Sequence, residues 1–205
     1  MSKIRKIGIF GGTFNPVHNG HIHLAQLCFD KLLLEKLIVI PTNISPHKKV
    51  EYVPENIDRV NMLKLAFEDY PYVTVSDIEL RLGGKSYTVN TLCELKKIYP
   101  EDELFLIVGG DMFLCFESWK EYRKILSMCK VCTAPREKDE YVLLKDYQKK
   151  IDPSQSSTIV LNSDVLRISS SEIREILVDI HNSDNCLMPE KVRQYIIQKG
   201  LYKNG

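Results

Sequence analysis

The sequence predicts an α/β fold in which a doubly wound parallel sheet carries helices on both faces. Three observations point there. Short apolar runs of strand length recur along the 205 residues, at 4–10, 37–40, 104–108 and 131–134. Segments with apolar residues at helical spacing lie between them. The chain also opens strand, helix, strand, and that alternation is the pattern of a parallel sheet covered by helices.

The first strand, residues 4–10, breaks at Gly11-Gly12, and a helix follows from Asn19, its expected N-cap, to about residue 35. Ile22, Leu24, Ala25, Leu27, Cys28, Leu32 and Leu33 recur near helical spacing along it, and His23, two residues beyond His21, turns away from the face that His18 and His21 share and reads as a solvent residue. The run Leu37-Ile38-Val39-Ile40, closed by Pro41, reads as the second strand. It does not end in Asp or Glu, which argues against an NAD-type cofactor site. A helix from Glu55 or Asn56 to about Tyr70 turns Val60, Leu63 and Ala66 inward, and residues 73–75 form a short strand. Ser86-Tyr87-Thr88 opens a helix to about Ile98. Leu104-Phe105-Leu106-Ile107-Val108 is the clearest buried strand, and Trp119 begins a helical stretch to Leu126. Residues 131–134 are another strand, 139–150 a surface helix and 158–161 a last strand. No repeat or low-complexity tract interrupts the chain.

Composition sets the class. A chain of this length suffices for one large domain with a full core, so residues 1–205 read as a single domain. Hydrophobic content of 44% argues against disorder, and a net charge of +1 removes the bulk electrostatic argument for a nucleic-acid partner. The basic Met1–Lys6 start precedes an apolar run too short for a signal peptide, and no run reaches membrane-span length. The expectation is a soluble, cytoplasmic protein with no membrane partner; a homo-oligomer stays open. The six cysteines are scattered. Cys129 and Cys132 form a lone C-x-x-C, which could be a redox pair, half a zinc site or buried free thiols. No second ligand pair follows, and Cys132 lies in an apolar run, so buried thiols are expected.

The stretch around which the chain is organised is Gly11-Gly12-Thr13-Phe14-Asn15-Pro16-Val17-His18-Asn19-Gly20-His21. A strand that stops at glycines and becomes a helix N-terminus can bring backbone N–H groups and partial positive charge to an anion. The loop lacks the Gly-Lys-Ser/Thr ending of a P-loop and the G-x-G-x-x-G spacing of a dinucleotide fold. It has instead two histidines three residues apart, which share a helix face and can point at one ligand.

That segment resembles the signature of the nucleotidyltransferase superfamily marked by H-x-G-H, and further segments narrow the resemblance. Pro41-Thr42-Asn43-Ile44-Ser45-Pro46-His47-Lys48 is similar to a segment of the bacterial nicotinate-mononucleotide adenylyltransferases within it. By composition alone, His47 and Lys48 are more often solvated charges than phosphate partners. Gly109-Gly110-Asp111, at a strand end, could be a plain turn or a ribose site; the family has G-[A/G]-D here, and the glycine at 110 is expected to matter little. Trp119, by itself a core candidate, matches a tryptophan that stacks on the pyridine ring. Ile168-Ser169-Ser170-Ser171-Glu172-Ile173-Arg174 reads as a capping box with Ser169 as N-cap, and it also resembles the superfamily's triphosphate signature. The resemblance extends into the C-terminal helix around Tyr195. It implies a Rossmann-like fold of the nucleotidyltransferase type.

The resemblance implies transfer of the adenylyl group of ATP to nicotinate mononucleotide, giving nicotinate adenine dinucleotide and pyrophosphate. It places His18 and His21 as catalytic donors. Gly11, Gly12, Thr13, Phe14, Ser169, Ser170 and Arg174 fall to the ATP phosphates. Asn43, His47, Lys48, Tyr87, Thr88, Gly109, Asp111 and Trp119 fall to the mononucleotide, with backbone near Tyr87-Thr88 beside the pyridine carboxylate. Mg²⁺ is expected through the phosphates, with no protein metal ligands. The alternatives are a nicotinamide-preferring enzyme, a phosphopantetheine or cytidylyl transferase of the same superfamily, and a non-catalytic nucleotide sensor.

Overall fold

The computed structural model describes residues 3–47, 52–137, 139–163, 166–177 and 187–202. Six strands, β1 (Lys6–Gly12), β2 (Lys36–Pro41), β3 (Val73–Val75), β4 (Glu103–Ile107), β5 (Lys130–Thr133) and β6 (Thr158–Val160), form one sheet in the order β3-β2-β1-β4-β5-β6. Every pairing is parallel. The expected doubly wound sheet is therefore present. Its order reverses between β1 and β4, so the chain leaves those neighbours in opposite directions and opens a crevice at their carboxyl ends.

Alternation along the strands divides the core in two. Phe10, Val39, Phe105 and Ile107 face one side with α1 (Asn19–Leu32), α2 (Asn56–Ala66), α8 (Ser170–Leu177) and α9 (Glu190–Lys199). Ile9, Ile38, Leu104 and Leu106 face the other, with α4 (Thr88–Ile98), α6 (Tyr122–Met128) and α7 (Glu140–Ile151). Strands buried on both faces explain why the sequence shows continuous apolar runs rather than alternation.

Several local expectations are corrected. The glycines do not end β1: Gly11 and Gly12 still pair with Ile40 and Pro41, and the strand stops only at Thr13. The N-cap of α1 is His18, not Asn19. His23 is half-buried rather than solvated, and its Nδ1 is buried without a hydrogen-bond partner among the described residues. A short helix, α3 (Ile78–Leu82), was not foreseen. The helix that Ser86-Tyr87-Thr88 opens has Tyr87 as its N-cap, without a side-chain capping bond, and the Ser86 hydroxyl accepts from the Asn43 N–H at 2.8 Å. Trp119 precedes α6 and lies in the loop after a 3₁₀ turn at Phe116–Ser118. Cys129 and Cys132 are buried free thiols, with burial pushing Cys129 up to about 12 and Cys132 well above its ordinary value. No helix among the described residues is long and apolar enough to cross a membrane.

Candidate functional site

A cavity of about 980 Å³ occupies the crevice at the carboxyl ends of β1 and β4. That is the upper end of the range for small-molecule sites, large enough for more than a single small metabolite. One wall is the loop after β1. A Cβ on Gly11 would meet nothing within 4 Å, so a side chain there would extend into open cavity, whereas one on Gly12 would press on the Phe14 ring at 3.1 Å.

The two histidines are held by one another. His18 is the N-cap of α1 in extended backbone conformation, and its Nδ1 accepts from the His21 N–H at 3.3 Å. The His21 Nδ1 accepts in return from the His18 N–H, also at 3.3 Å. This is a capping box built from imidazoles instead of a hydroxyl and a carboxylate. A ring nitrogen that accepts carries no hydrogen, so each ring's N–H is on Nε2. The rings stack with centroids 3.6 Å apart, and Phe14 meets the His21 ring edge-on at 5.0 Å. His18 is 4% exposed. Desolvation, helped by the charge of Arg136, lowers its pKa to about 3. It is therefore a neutral donor across the physiological range. No acidic side chain sits in the first turn of α1 to compete for that helix end.

The opposite wall is the start of α8. The capping box expected there is present: Ser169 N–H donates to the Glu172 carboxylate at 3.0 Å, and Glu172 N–H donates to the Ser169 hydroxyl at 3.2 Å. Those Ser169 bonds hold the Glu172 carboxyl below its ordinary range. This helix start is also docked on the β1 loop. Ser170 donates to the Pro16 carbonyl at 3.1 Å, and Arg174 donates to the Asn15 carbonyl at 2.7 Å and the Ser171 hydroxyl at 3.1 Å. The Asn15 side chain is in turn held by two bonds, giving one to the Tyr52 carbonyl and receiving one from the buried Tyr202 hydroxyl at 2.8 Å.

At the other end of the cavity, Trp119 lies between Phe116 and His47, each with ring centroids 5.1 Å from it. Its indole nitrogen is buried without a partner among the described residues. Thr88, Gly109 and Asp111 line the same space, as does His47. Asp111 pairs with Arg136 at 3.4 Å. A Cβ on Gly110 would collide with the Glu140 carboxylate, which accepts the Arg136 N–H at 2.5 Å. That carboxylate is the far end of a flexible side chain and can yield, so a small side chain at 110 would need only Glu140 to shift.

The cavity thus brings together His18, His21, Gly11, Gly12, Thr13, Phe14, Ser169, Ser170 and Arg174 with His47, Thr88, Gly109, Asp111 and Trp119. Asn43 and Tyr87 do not line it: Asn43 stands behind the wall, bonded to Gly84 and Ser86, and Lys120 lies over the Tyr87 ring at 4.6 Å. Lys48 lies outside the described residues. Arg136, Glu79, Tyr52 and Tyr202 line the cavity and were not singled out. Arg136 could have been found, since it closely follows a strand's carboxyl end. Glu79 and Tyr202 carry no such local signal. Among the described residues no three His, Cys, Asp or Glu side chains are grouped to hold a metal ion.

Comparison with known proteins follows the same outline. Residues 9–176 match the family model described as cytidylyltransferase-like. A protein of Geotalea daltonii named probable nicotinate-nucleotide adenylyltransferase is 38% identical, over 98% of this chain and 99% of that one. A Desulfitobacterium hafniense protein of the same name is 36% identical over 97% and 96%. In fold, the chain is similar to Plasmodium falciparum nicotinic acid mononucleotide adenylyltransferase complexed with APC. There the TM-score is 0.77 and identity 20%, with 98% of each chain covered. A structure of the same Plasmodium protein complexed with NaAD gives a TM-score of 0.75 at 19% identity, again over 98% of each chain.

Proposed function

The chain belongs to the cytidylyltransferase-like family and, within it, to the nicotinate-nucleotide adenylyltransferases, and from that premise we propose how its cavity performs adenylyl transfer. The substrates are ATP and nicotinate mononucleotide; the products are nicotinate adenine dinucleotide and pyrophosphate, a step of NAD biosynthesis. The observation that carries this reading is the reciprocal histidine pair, which presents two fixed Nε2–H donors at a loop and helix end suited to phosphate.

The attacking group is the 5′-phosphate of the mononucleotide. Its second pKa is about 6, so near neutral pH it is largely a dianion and no general base is required. One of its oxygens bonds to the α-phosphorus of ATP as the bond from that phosphorus to the α–β bridging oxygen breaks, and pyrophosphate leaves with the electron pair. The work left to the protein is to hold two anions in line and to stabilise charge as it moves. His18 and His21 donate to the α- and β-phosphates, beside backbone N–H groups of residues 12–14. A neutral His18 suits that role, because a donor that does not titrate keeps its geometry across the working pH range. Ser169, Ser170 and Arg174 hold the departing pyrophosphate, with Arg136 adding a cation beside His18.

Mg²⁺ would be held through phosphate oxygens and would neutralise part of the triphosphate charge. The side chains support that mode: Asp111 is already paired with Arg136, and Glu79 with Thr91. On the mononucleotide side the pyridine ring stacks on Trp119, taking the face that His47 now approaches. Gly109 and Asp111 meet the ribose, His47 and Lys48 the phosphate. Asn43 shapes the turn from behind, and the Tyr87-Thr88 start of α4 receives the pyridine carboxylate.

The test is pyrophosphate release from ATP with Mg²⁺, run in parallel with nicotinate and nicotinamide mononucleotides. Faster turnover with the nicotinate form is the expected result. Equal or reversed preference would keep the transfer and overturn the carboxylate site at α4, and no release with either would overturn the reading.

A further inference from the structure

Among the described residues, the largest fully buried side chain outside the cavity lining is a cation. Arg59, on α2, is 1% exposed, and burial lowers its pKa. The idealised cost of burying such a charge is large unless its hydrogen-bond partners repay it. Arg59 is only partly repaid: its Nε is buried without a partner among the described residues. The nearby carboxylate that favours its charge, Glu79, is itself shared with the Thr91 hydroxyl, which donates to it at 2.7 Å, and with Ser86. A buried guanidinium kept under these terms calls for a reason beyond packing.

Its two bonds supply one. One terminal nitrogen donates to the Thr13 carbonyl at 3.1 Å, in the loop that faces the triphosphate. The other donates to the Asn56 side-chain oxygen. The Asn56 amide nitrogen donates to the Asn43 side-chain oxygen at 2.9 Å, and the Asn43 amide nitrogen to the Gly84 carbonyl at 3.0 Å. The Asn43 N–H donates to the Ser86 hydroxyl, at the entry to α4 on the mononucleotide side. A guanidinium has donors only, so it dictates which end of the Asn56 amide faces it. That choice dictates the orientation of Asn43, and hence which atoms are left for the Gly84–Ser86 turn. The bonds run outward from Arg59, which donates toward both ends, and the aligned run through Asn56 and Asn43 to Gly84 is of the kind whose members polarise one another.

We propose that Arg59 is a positioning residue that couples the two substrates, joining the ATP loop at Thr13 to the mononucleotide turn at Gly84–Ser86 through Asn56 and Asn43. The proposal rests on the substrate assignment above. Ordering of either loop by its ligand then sets the other in place, so each substrate binds more tightly when its partner is present.

The experiment measures the affinity of the α,β-methylene analogue of ATP by calorimetry, with and without saturating nicotinate mononucleotide. In the unmodified protein the mononucleotide should tighten the analogue by about fivefold or more. Asn56→Asp keeps an acceptor for Arg59 but cannot donate to the Asn43 oxygen. It changes an exposed position, so the fold should tolerate it. It should remove most of the tightening while each ligand, bound alone, stays within about threefold of its original affinity. Arg59→Lys keeps the charge but cannot reach Thr13 and Asn56 together, and should do the same if it folds. Full coupling in Asn56→Asp, or no coupling in the unmodified protein, overturns the proposal. Failure of the mononucleotide to bind at all would instead overturn the substrate assignment.

Discussion

Replacing His18 by Asn separates two properties that one ring combines. Asn can accept the His21 N–H as an N-cap does, but it does not titrate. The His18 imidazole has its pKa lowered from 6.5 to about 3, chiefly by desolvation and secondarily by Arg136. The folded form therefore resists protonation, and the unfolded chain takes the proton first. Stability from this group is fully present above about pH 6.5 and is lost as pH falls through the interval down to about 3. At pH 5 the unfolded ring lies about 1.5 units below its own pKa, and at roughly 1.4 kcal/mol per unit the loss is about 2 kcal/mol. The assay is urea unfolding of both proteins at pH 7.5 and pH 5. The unmodified protein should lose about 2 kcal/mol more than His18→Asn between the two conditions. Parallel losses would refute the picture of a neutral, desolvated His18.

Three further outcomes are expected. His21→Ala should lower turnover by about 10²-fold or more, the scale of losing one transition-state donor, and a rate within a fewfold of the original would reject that role. Trp119→Ala should raise the KM for nicotinate mononucleotide and leave that for ATP nearly unchanged; the reverse pattern would place the indole elsewhere. Tyr202→Phe removes the donor to the buried Asn15 side-chain oxygen, 2% exposed, and should cost about 1–3 kcal/mol in urea unfolding at an unchanged m-value. Unaltered stability would show that the bond adds nothing to the closure of the loop.

The elements most legible from sequence were those whose signal is local. The strand-to-helix joint at Gly11–His21 announces itself by residue type and spacing, and so does the Ser169–Glu172 box. The apolar runs of β1, β2 and β4 report burial on both faces without any knowledge of their neighbours. What stayed hidden depends on distant contacts. Asn is the better N-cap by ordinary preference, yet His18 takes the position because His21 answers it. Arg59 looks like any exposed helix charge until the loop holding Thr13 closes over it. Trp119 follows a short 3₁₀ turn, and nothing in its immediate sequence distinguishes that loop from the helix that begins at Tyr122.

The reciprocal imidazole box has a consequence for anyone seeking a hardier version of this protein. Exchanging the pair for a serine and a glutamate, the usual partners at a helix start, would give α1 a stronger beginning and make the chain more resistant to heat. The same exchange would strip the pocket of both ring donors. Screens that reward thermal endurance alone should therefore enrich inert variants at positions 18 and 21, while screens that reward product should keep a comparatively poor helix cap. At this joint, robustness and turnover pull the same two side chains in opposite directions.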